Sequence, residues 1–241
     1  MLLPLRLLSS FCGRLPSAMR GRCAEWRNAL ALHLLGPEAR FRLIYDHNLW
    51  GDEESRSGSG SNLTNTAAIR EQLPPLFERL GVRTLLDAPC GDYHWFKEMD
   101  LDLEHYYGGD VVKPLIAANR RCYGDINRTF EVVDLTCDPL PEVDLIFCRD
   151  LLVHLSEEQI RQVVRNIKSS GARYLLTTTF TSEQRGNPDI PAGIWRPLNL
   201  TRPPFNFPPP LEILDEGYRE EGGQYADKSL GLWEVVALPE L

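Results

Sequence analysis

The chain has 241 residues, 43% hydrophobic and 25% charged, which is enough for one sizeable core, and no apolar run approaches the length of a membrane span. The net charge of −8 is uneven: residues 1–40 carry six Arg against Glu25 and Glu38, or +4, leaving −12 for residues 41–241. So acidic a body repels a phosphate backbone, which argues against nucleic acid as the main partner.

The first 24 residues hold Arg6, Arg14, Arg20 and Arg22 and no acid. That is the composition of a mitochondrial or plastid transit peptide, and equally of a disordered basic tail or of extra residues before a start at Met19. Residues 1–40 are therefore set apart, and residues 41–241 are read as one domain. The six cysteines of the whole chain form no C-x-x-C pair and its histidines are scattered, so no metal site is expected. The cysteine pattern suits a reduced intracellular protein, cytoplasmic or organellar.

Residues 41–80 contain "YDHNLWGDEESRSGSGSNLTNT", whose Gly/Ser centre, Ser55 to Ser61, reads as a linker or as a mobile lid anchored at Trp50. A helix is expected from about Thr66 to Leu80, interrupted at Pro74 and Pro75. Then "RTLLDAP", "HYYGGDVV", "RTFEVVDL", "VDLIFCRD" and "ARYLLTTTF" read as five buried strands within residues 81–180. A helix is expected after the first strand, with Asp92 placed to cap it. Another spans Lys113 to Tyr123, with Pro114 in its first turn. A third opens at Ser156, where Gln159 completes a capping box, and stops at Gly171. Strands alternating with helices give an α/β, doubly wound, mostly parallel sheet.

Residues 181–210 change character, with eight prolines in the 25 residues from Gly186 to Pro210, and are expected to form an ordered loop or lid. Residues 211–241 follow with "LEILDEGY" and "SLGLWEVVAL", two strands of an antiparallel terminal hairpin. The full sheet is thus seven-stranded.

Ligands of open parallel sheets sit beyond the carboxyl ends of the strands. Here the first four strands end in Asp87, Asp110, Asp134 and Asp150. One such Asp is commonly a turn residue. Four on one rim repel each other unless something cationic or rich in donors joins them. The first loop, D-A-P-C-G-D, lacks G-x-G-x-x-G, and its leading acid opposes a pyrophosphate, which counts against NAD. A ligand with positive charge, hydroxyls and a base, but no phosphate, fits; S-adenosyl-L-methionine (SAM) has all of these.

With these features, residues 83–180 and the terminal hairpin resemble the core of the class I SAM-dependent methyltransferases, whose fold is Rossmann-like. "LLDAPCGD" is similar to that family's first motif, with its usual G-x-G reduced to Gly91 and Pro89 standing at the earlier position. The resemblance implies that Asp87, Ala88, Pro89 and Gly91 form the cofactor loop. It implies that Asp110, followed by Val111, accepts hydrogen bonds from the ribose, and that Asp134 and Leu135 lie at the adenine. Arg149 and Asp150 would line the methionine moiety or the substrate mouth. The late "WRPLNL…PF" string resembles only uncharacterised members and brings no substrate with it.

If the acceptor must lose a proton, a base is needed. His154, just beyond the fourth strand, is one candidate and Asp150 another; Asp92 is a rival, and His154 could equally do no more than shape the pocket. Trp195, Arg196 and Asn199 of the Pro-rich segment are candidate substrate contacts, or cover a core. The leading expectation is methyl transfer to oxygen or nitrogen of a small or sugar-like acceptor. A protein side chain as acceptor, and a non-catalytic module working through a partner, are the alternatives.

Overall fold

The apolar runs that end in aspartate become adjacent strands. In the computed structural model, which describes residues 37–219 and 221–241, β1 (Thr84–Asp87), β2 (His105–Asp110), β3 (Arg128–Val132), β4 (Leu145–Cys148) and β5 (Tyr174–Phe180) pair in parallel. β6 (Glu212–Asp215) and β7 (Lys228–Glu234) complete the sheet in antiparallel pairing. The order is β3-β2-β1-β4-β5-β7-β6, so the winding reverses between β1 and β4 and opens a crevice beyond their carboxyl ends. This is the doubly wound, seven-stranded α/β sheet with an antiparallel terminal hairpin that the sequence indicates. Phe41–Leu241 forms one compact unit, which holds the whole sheet. The Arg-rich residues 1–24, candidate transit peptide or tail, lie outside the described residues. No helix among the described residues is long and apolar enough to cross a membrane.

Every residue of β4 and β5 is buried, as a sheet covered on both faces requires. Successive side chains point to opposite faces. Thus Leu86, Ile146 and Leu175 join one core with Ile160, Val163, Val164 and Ile167. Leu85, Leu145 and Leu176 join the other with Ile69, Leu73, Leu76 and Phe77. The four α-helices among the described residues are α1 (Pro37–His47), α2 (Ala67–Leu80), α3 (Lys113–Tyr123) and α4 (Glu157–Ser169). The α4 capping box of Ser156 and Gln159 forms as read from the sequence, and Gly171 follows the helix with φ +79°.

Two elements depart from expectation. The helix α2 runs unbroken through Pro74 and Pro75. Each proline removes a backbone donor, but Ile69, Leu73, Leu76 and Phe77 bury one continuous face across the break, and that burial outweighs the local cost. Between β1 and β2 there is no α-helix, only the 3-10 turn Phe96–Glu98. The crossover buries an aromatic cluster instead: Tyr93 lies 5.0 Å and Phe96 5.1 Å from the Tyr106 ring, and Trp95 packs on Phe96 at 5.3 Å. These rings fill the place a helix face would occupy, so Asp92 has no helix to cap.

The Pro-rich segment holds no helix or strand. It buries Leu198, Leu200, Phe205 and Phe207 in the core, and it is tied to β5 by the Phe180 amide donating to the Leu198 carbonyl at 2.7 Å.

Candidate functional site

Beyond the ends of β1, β2 and β4 lies a cavity of about 400 Å³, within the range of small-molecule sites. Asp87 and Asp110 both line it, and both are almost fully buried, at 3% and 8% exposure. Asp87 accepts a hydrogen bond from Tyr106 Oη at 2.7 Å, and Asp110 from the Val112 amide at 2.9 Å. None of the ion pairs among the described residues involves either carboxylate. Burial pushes Asp87 up to about 8, against the pull of the Tyr106 hydroxyl. Burial also pushes Asp110 up to about 6, against backbone amides that favour its charge. Neither carboxyl is in an ion pair; the nearby Arg149 charge pulls Asp87 down without overcoming its burial, and the protonation of both responds to whatever enters.

Pro89 and Gly91 also line the cavity. Gly91 has φ +51°, and a Cβ there would meet Ser57 Oγ at 2.3 Å. That close approach is made by the Gly/Ser segment, which docks on the β1 loop. The Asp92 carboxylate accepts from Ser55 Oγ at 3.0 Å and from the Arg56 amide at 2.8 Å. The Asp92 amide in turn donates to Ser57 Oγ at 3.1 Å. The Asn119 amide nitrogen, from α3, donates to the Gly91 carbonyl at 2.7 Å and fixes the loop from the other side. Asp92 thus holds the 55–57 segment over the cavity, and it stands neither as a helix cap nor as a free base.

At the end of β4, Arg149 and Asp150 enter a buried network. Arg149 Nη2 lies 2.6 Å from Glu216 Oε2, Lys228 Nζ lies 3.2 Å from the same oxygen, and Lys228 Nζ lies 2.7 Å from Asp150 Oδ2. Asp150 has φ +57°, an uncommon conformation to which Asp is better suited than most residues. Its amide donates to Thr178 Oγ1 at 2.8 Å. Burial alone would raise Asp150, but Lys228 and Arg149 hold it well below the usual carboxylate range. That corrects its expected role as a base: it is a fixed anion, spoken for by two cations. Of the four rim acids, Asp150 is therefore neutralised by the chain itself, and Asp87 and Asp110 are in no ion pair.

The structure brings together Asp87, Pro89, Gly91, Asp110, Arg149, Asp150, His154 and Trp195 around one cavity. It leaves out the other candidates. Ala88 packs in the core, and Val112 rather than Val111 reaches the cavity wall. Asp134 lies past the end of β3 and closes its own turn, accepting from the Thr136 amide at 2.9 Å and hydroxyl at 2.6 Å. Leu135 is core. Arg196 is buried and donates to the Leu155 carbonyl at 2.8 Å. Asn199 is buried, accepting from Thr201 Oγ1 at 2.7 Å and bonding the Ser182 carbonyl. Arg196 and Asn199 therefore hold the Pro-rich loop in place and do not face a substrate.

Lys228, Glu216, Phe180 and Tyr225 were not legible as site residues. A signal for Lys228 existed. An antiparallel strand begins where its parallel neighbour ends, and Lys228 pairs with Phe180 in register. No group of His, Cys, Asp and Glu among the described residues is placed to hold a metal ion.

Human N-acetylserotonin methyltransferase in complex with SAM superposes with a TM-score of 0.52 at 13% identity, over 85% of this chain and 57% of that one. The chain has the class I methyltransferase fold. The N-methyltransferase NodS from Bradyrhizobium japonicum, with S-adenosyl-L-homocysteine (SAH), matches at 0.44 and 16% identity, over 58% of this chain and 72% of that one. Magnesium protoporphyrin IX methyltransferase from Synechocystis matches at 0.43 and 15% identity, over 58% and 68%. No family model and no curated protein matches the sequence.

On this methyltransferase fold His154 occupies a 3-10 turn after β4 and lines the cavity. Its ring lies 5.8 Å from Trp50 and 6.2 Å from Phe41. Burial pulls it down to about 4, against the nearby Asp150 charge and a hydrogen bond with the Ile194 backbone. It is therefore a neutral imidazole at pH 7, and its Nδ1 is buried with no partner.

Proposed function

We propose that the chain binds SAM in this cavity and moves a methyl group to an oxygen or nitrogen of a small-molecule acceptor. The observation that carries the reading is the pair Asp87 and Asp110: buried carboxyls, in no ion pair, at the switch point of a methyltransferase fold. The residues present fit the cofactor. Asp110 would accept hydrogen bonds from the ribose hydroxyls. Asp87 would face the cationic end of the molecule. Gly91 keeps the loop free of a side chain, and Trp95 and Phe147 supply apolar wall.

When bound, the cofactor supplies a methyl group activated by a sulfonium. The chain's own task is approach, orientation and exclusion of water. The docked Gly/Ser segment covers the cavity from one side, and the Pro-rich loop brings Trp195 to it. His154, neutral at pH 7 and lining the cavity, is the candidate to take a proton from the acceptor. Asp150 stands close enough to favour the charged imidazole that results.

Calorimetric titration of SAM, with NAD as control, tests the reading. Wild type should bind SAM and not NAD. Asp110→Ala should bind SAM roughly ten- to a hundredfold more weakly, the size of a buried hydrogen bond to a charged group. Equal binding by both proteins would remove Asp110 from the site, and no binding at all would remove SAM.

A further inference from the structure

The cavity is acidic and its mouth is apolar. Among the described residues, Asp87, Asp92, Asp110 and Asp150 line it, and Glu216 is buried in the network beside Asp150. Arg56, Arg149 and Lys228 are its lining cations. Bound SAM carries a sulfonium, an ammonium and a carboxylate, one net positive charge. Five acids against three cations and the cofactor leave one negative charge unmatched. A single cation complements such a site, and a carboxylate or phosphate does not.

The open part of that charge is Asp150. Its side chain is 28% exposed, against 0% for Glu216 and 8% for Lys228. Asp150 Oδ2 accepts from Lys228 Nζ at 2.7 Å. Its Oδ1 accepts from Thr178 Oγ1 at 3.3 Å, a long bond that leaves this oxygen lone pairs for a donor in the cavity. Trp50, Trp195 and Tyr225 line the same cavity, the last two edge to face at 4.8 Å. Aromatic faces attract a cation.

Outside lie two aliphatic–Trp pairs, Leu49 with Trp50 and Ile194 with Trp195, each residue 37% to 41% exposed. Both pairs flank the turn of His154. The Trp50 and His154 rings lie 5.8 Å apart, and the Gly193 amide donates to the His154 carbonyl at 2.6 Å. The four side chains therefore rim one mouth. A stable protein interface needs roughly 800 Å² from each partner, more than four part-exposed side chains supply. An alkyl chain needs far less. The cavity, about 400 Å³, is at the small end for a drug-sized ligand. It holds the cofactor and a small head group, so a longer acceptor extends over this rim.

We infer that the acceptor is an amphiphilic amine, whose ammonium enters facing Asp150 among Trp50, Trp195 and Tyr225 and whose alkyl chain lies over Leu49 and Ile194. This rests on the SAM reading above and narrows its acceptor class. The ammonium first gives one proton to the base of that reading. The freed lone pair forms the bond to the methyl carbon, and the electron pair of the carbon–sulfur bond stays on sulfur. The positive charge leaves sulfur and reappears on the methylated nitrogen, still facing Asp150.

The probe is octylamine, titrated by calorimetry into full-length protein saturated with SAH. Parallel titrations use octanol, octanoate and propylamine. The expected result is saturable binding of one octylamine per chain alongside SAH. Octanol should bind at least about tenfold more weakly for want of a charge-assisted hydrogen bond, and propylamine at least about tenfold more weakly for want of the chain. Leu49→Ser with Ile194→Ser, neither in the cavity wall, should weaken octylamine about tenfold and leave SAH affinity unchanged. Asp150→Asn, made together with Lys228→Met so that the network keeps equal charges, should erase the preference for octylamine over octanol. If that pair does not fold, the rim variant decides. The inference is overturned if SAH binds and octylamine does not, if octylamine displaces SAH, if octanol, octanoate or propylamine binds as tightly, or if the rim variant binds octylamine as wild type does. If SAH itself does not bind, the SAM reading fails first and the acceptor assignment falls with it.

Discussion

Lys228 Nζ lies 2.7 Å from Asp150 Oδ2 and joins the first residue of β7 to the end of β4. The pair is mostly buried, with side-chain exposures of 8% and 28%, and Glu216 beside it is at 0%. Lys228→Met leaves two buried acids to one arginine. Removing one partner of a buried pair costs about 3–5 kcal/mol, and chemical denaturation at pH 7 should show a loss of that size. Adding Asp150→Asn should recover a large part of it. The pH dependence has a definite sign. The folded state holds Asp150 below its ordinary value, so its contribution is full above the unfolded value near 4 and fades as pH falls further. The gap between wild type and Lys228→Met should therefore narrow below pH 4.

Asp87 should act in the opposite direction. Its folded-state value, about 8, is raised above the usual 3.8. Its protonated form therefore favours folding at low pH, and that stability is lost as pH rises from about 4 through 8. Asp87→Asn keeps an acceptor for Tyr106 and never ionises. It should match wild type in stability at pH 4 and exceed it by a few kcal/mol at pH 8, as read from melting curves at the two pH values. The same carboxyl should ionise when a cationic ligand enters. SAM affinity should then rise between pH 5 and 8, with protons released on binding. Calorimetry in two buffers of different ionisation enthalpy measures that release; none would mean that Asp87 does not face the cation.

The strand ends were legible because each buried apolar run stops at a charged residue, and the pattern is local. The same local reading placed Asp134 on the rim, but β3 ends at Val132 and the next residues turn, so the side chain serves Thr136. The missing helix after β1 was hidden because Asp92 followed by Tyr93, Trp95 and Phe96 has the look of a capped apolar helix. What decides otherwise is the packing of those rings on Tyr106 and the claim of Ser55 and Ser57 on Asp92, contacts 35 to 37 residues away. Lys228 and Glu216 are further still from their partners, at 78 and 67 residues. Arg196 and Asn199 looked like substrate ligands because polar residues in a Pro-rich loop are usually exposed; here both turn inward, Arg196 to the Val153 and Leu155 carbonyls after β4 and Asn199 to the loop's own Ser182 carbonyl.

Gly91 is where the Gly/Ser segment meets the loop after β1. Gly91→Ala meets both a φ of +51° and a Cβ placed 2.3 Å from Ser57 Oγ. The conformational part costs about 1 kcal/mol. The steric part should lift residues 55–61 from the loop. Hydrogen exchange of that segment should quicken in Gly91→Ala, and SAM affinity should drop. Ser57→Gly in the same chain removes the clashing hydroxyl and should restore part of the affinity while the backbone cost stays. If exchange in 55–61 is unchanged in Gly91→Ala, the segment is not held by this contact.

His154 should separate binding from turnover. Its Nδ1 has no partner in the fold, so His154→Gln should disturb stability little and leave the dissociation constant of SAM near that of wild type. General-base catalysis contributes about 10²–10⁴-fold, and kcat should fall by that amount. Because burial holds His154 near 4, it stays unprotonated well below pH 6. With SAM and acceptor saturating, the wild-type rate should therefore be flat from pH 8 down to about 5 and decline only beyond that. A wild-type rate that halves near pH 6.5 would describe an exposed imidazole, and would place the titrating base elsewhere than His154.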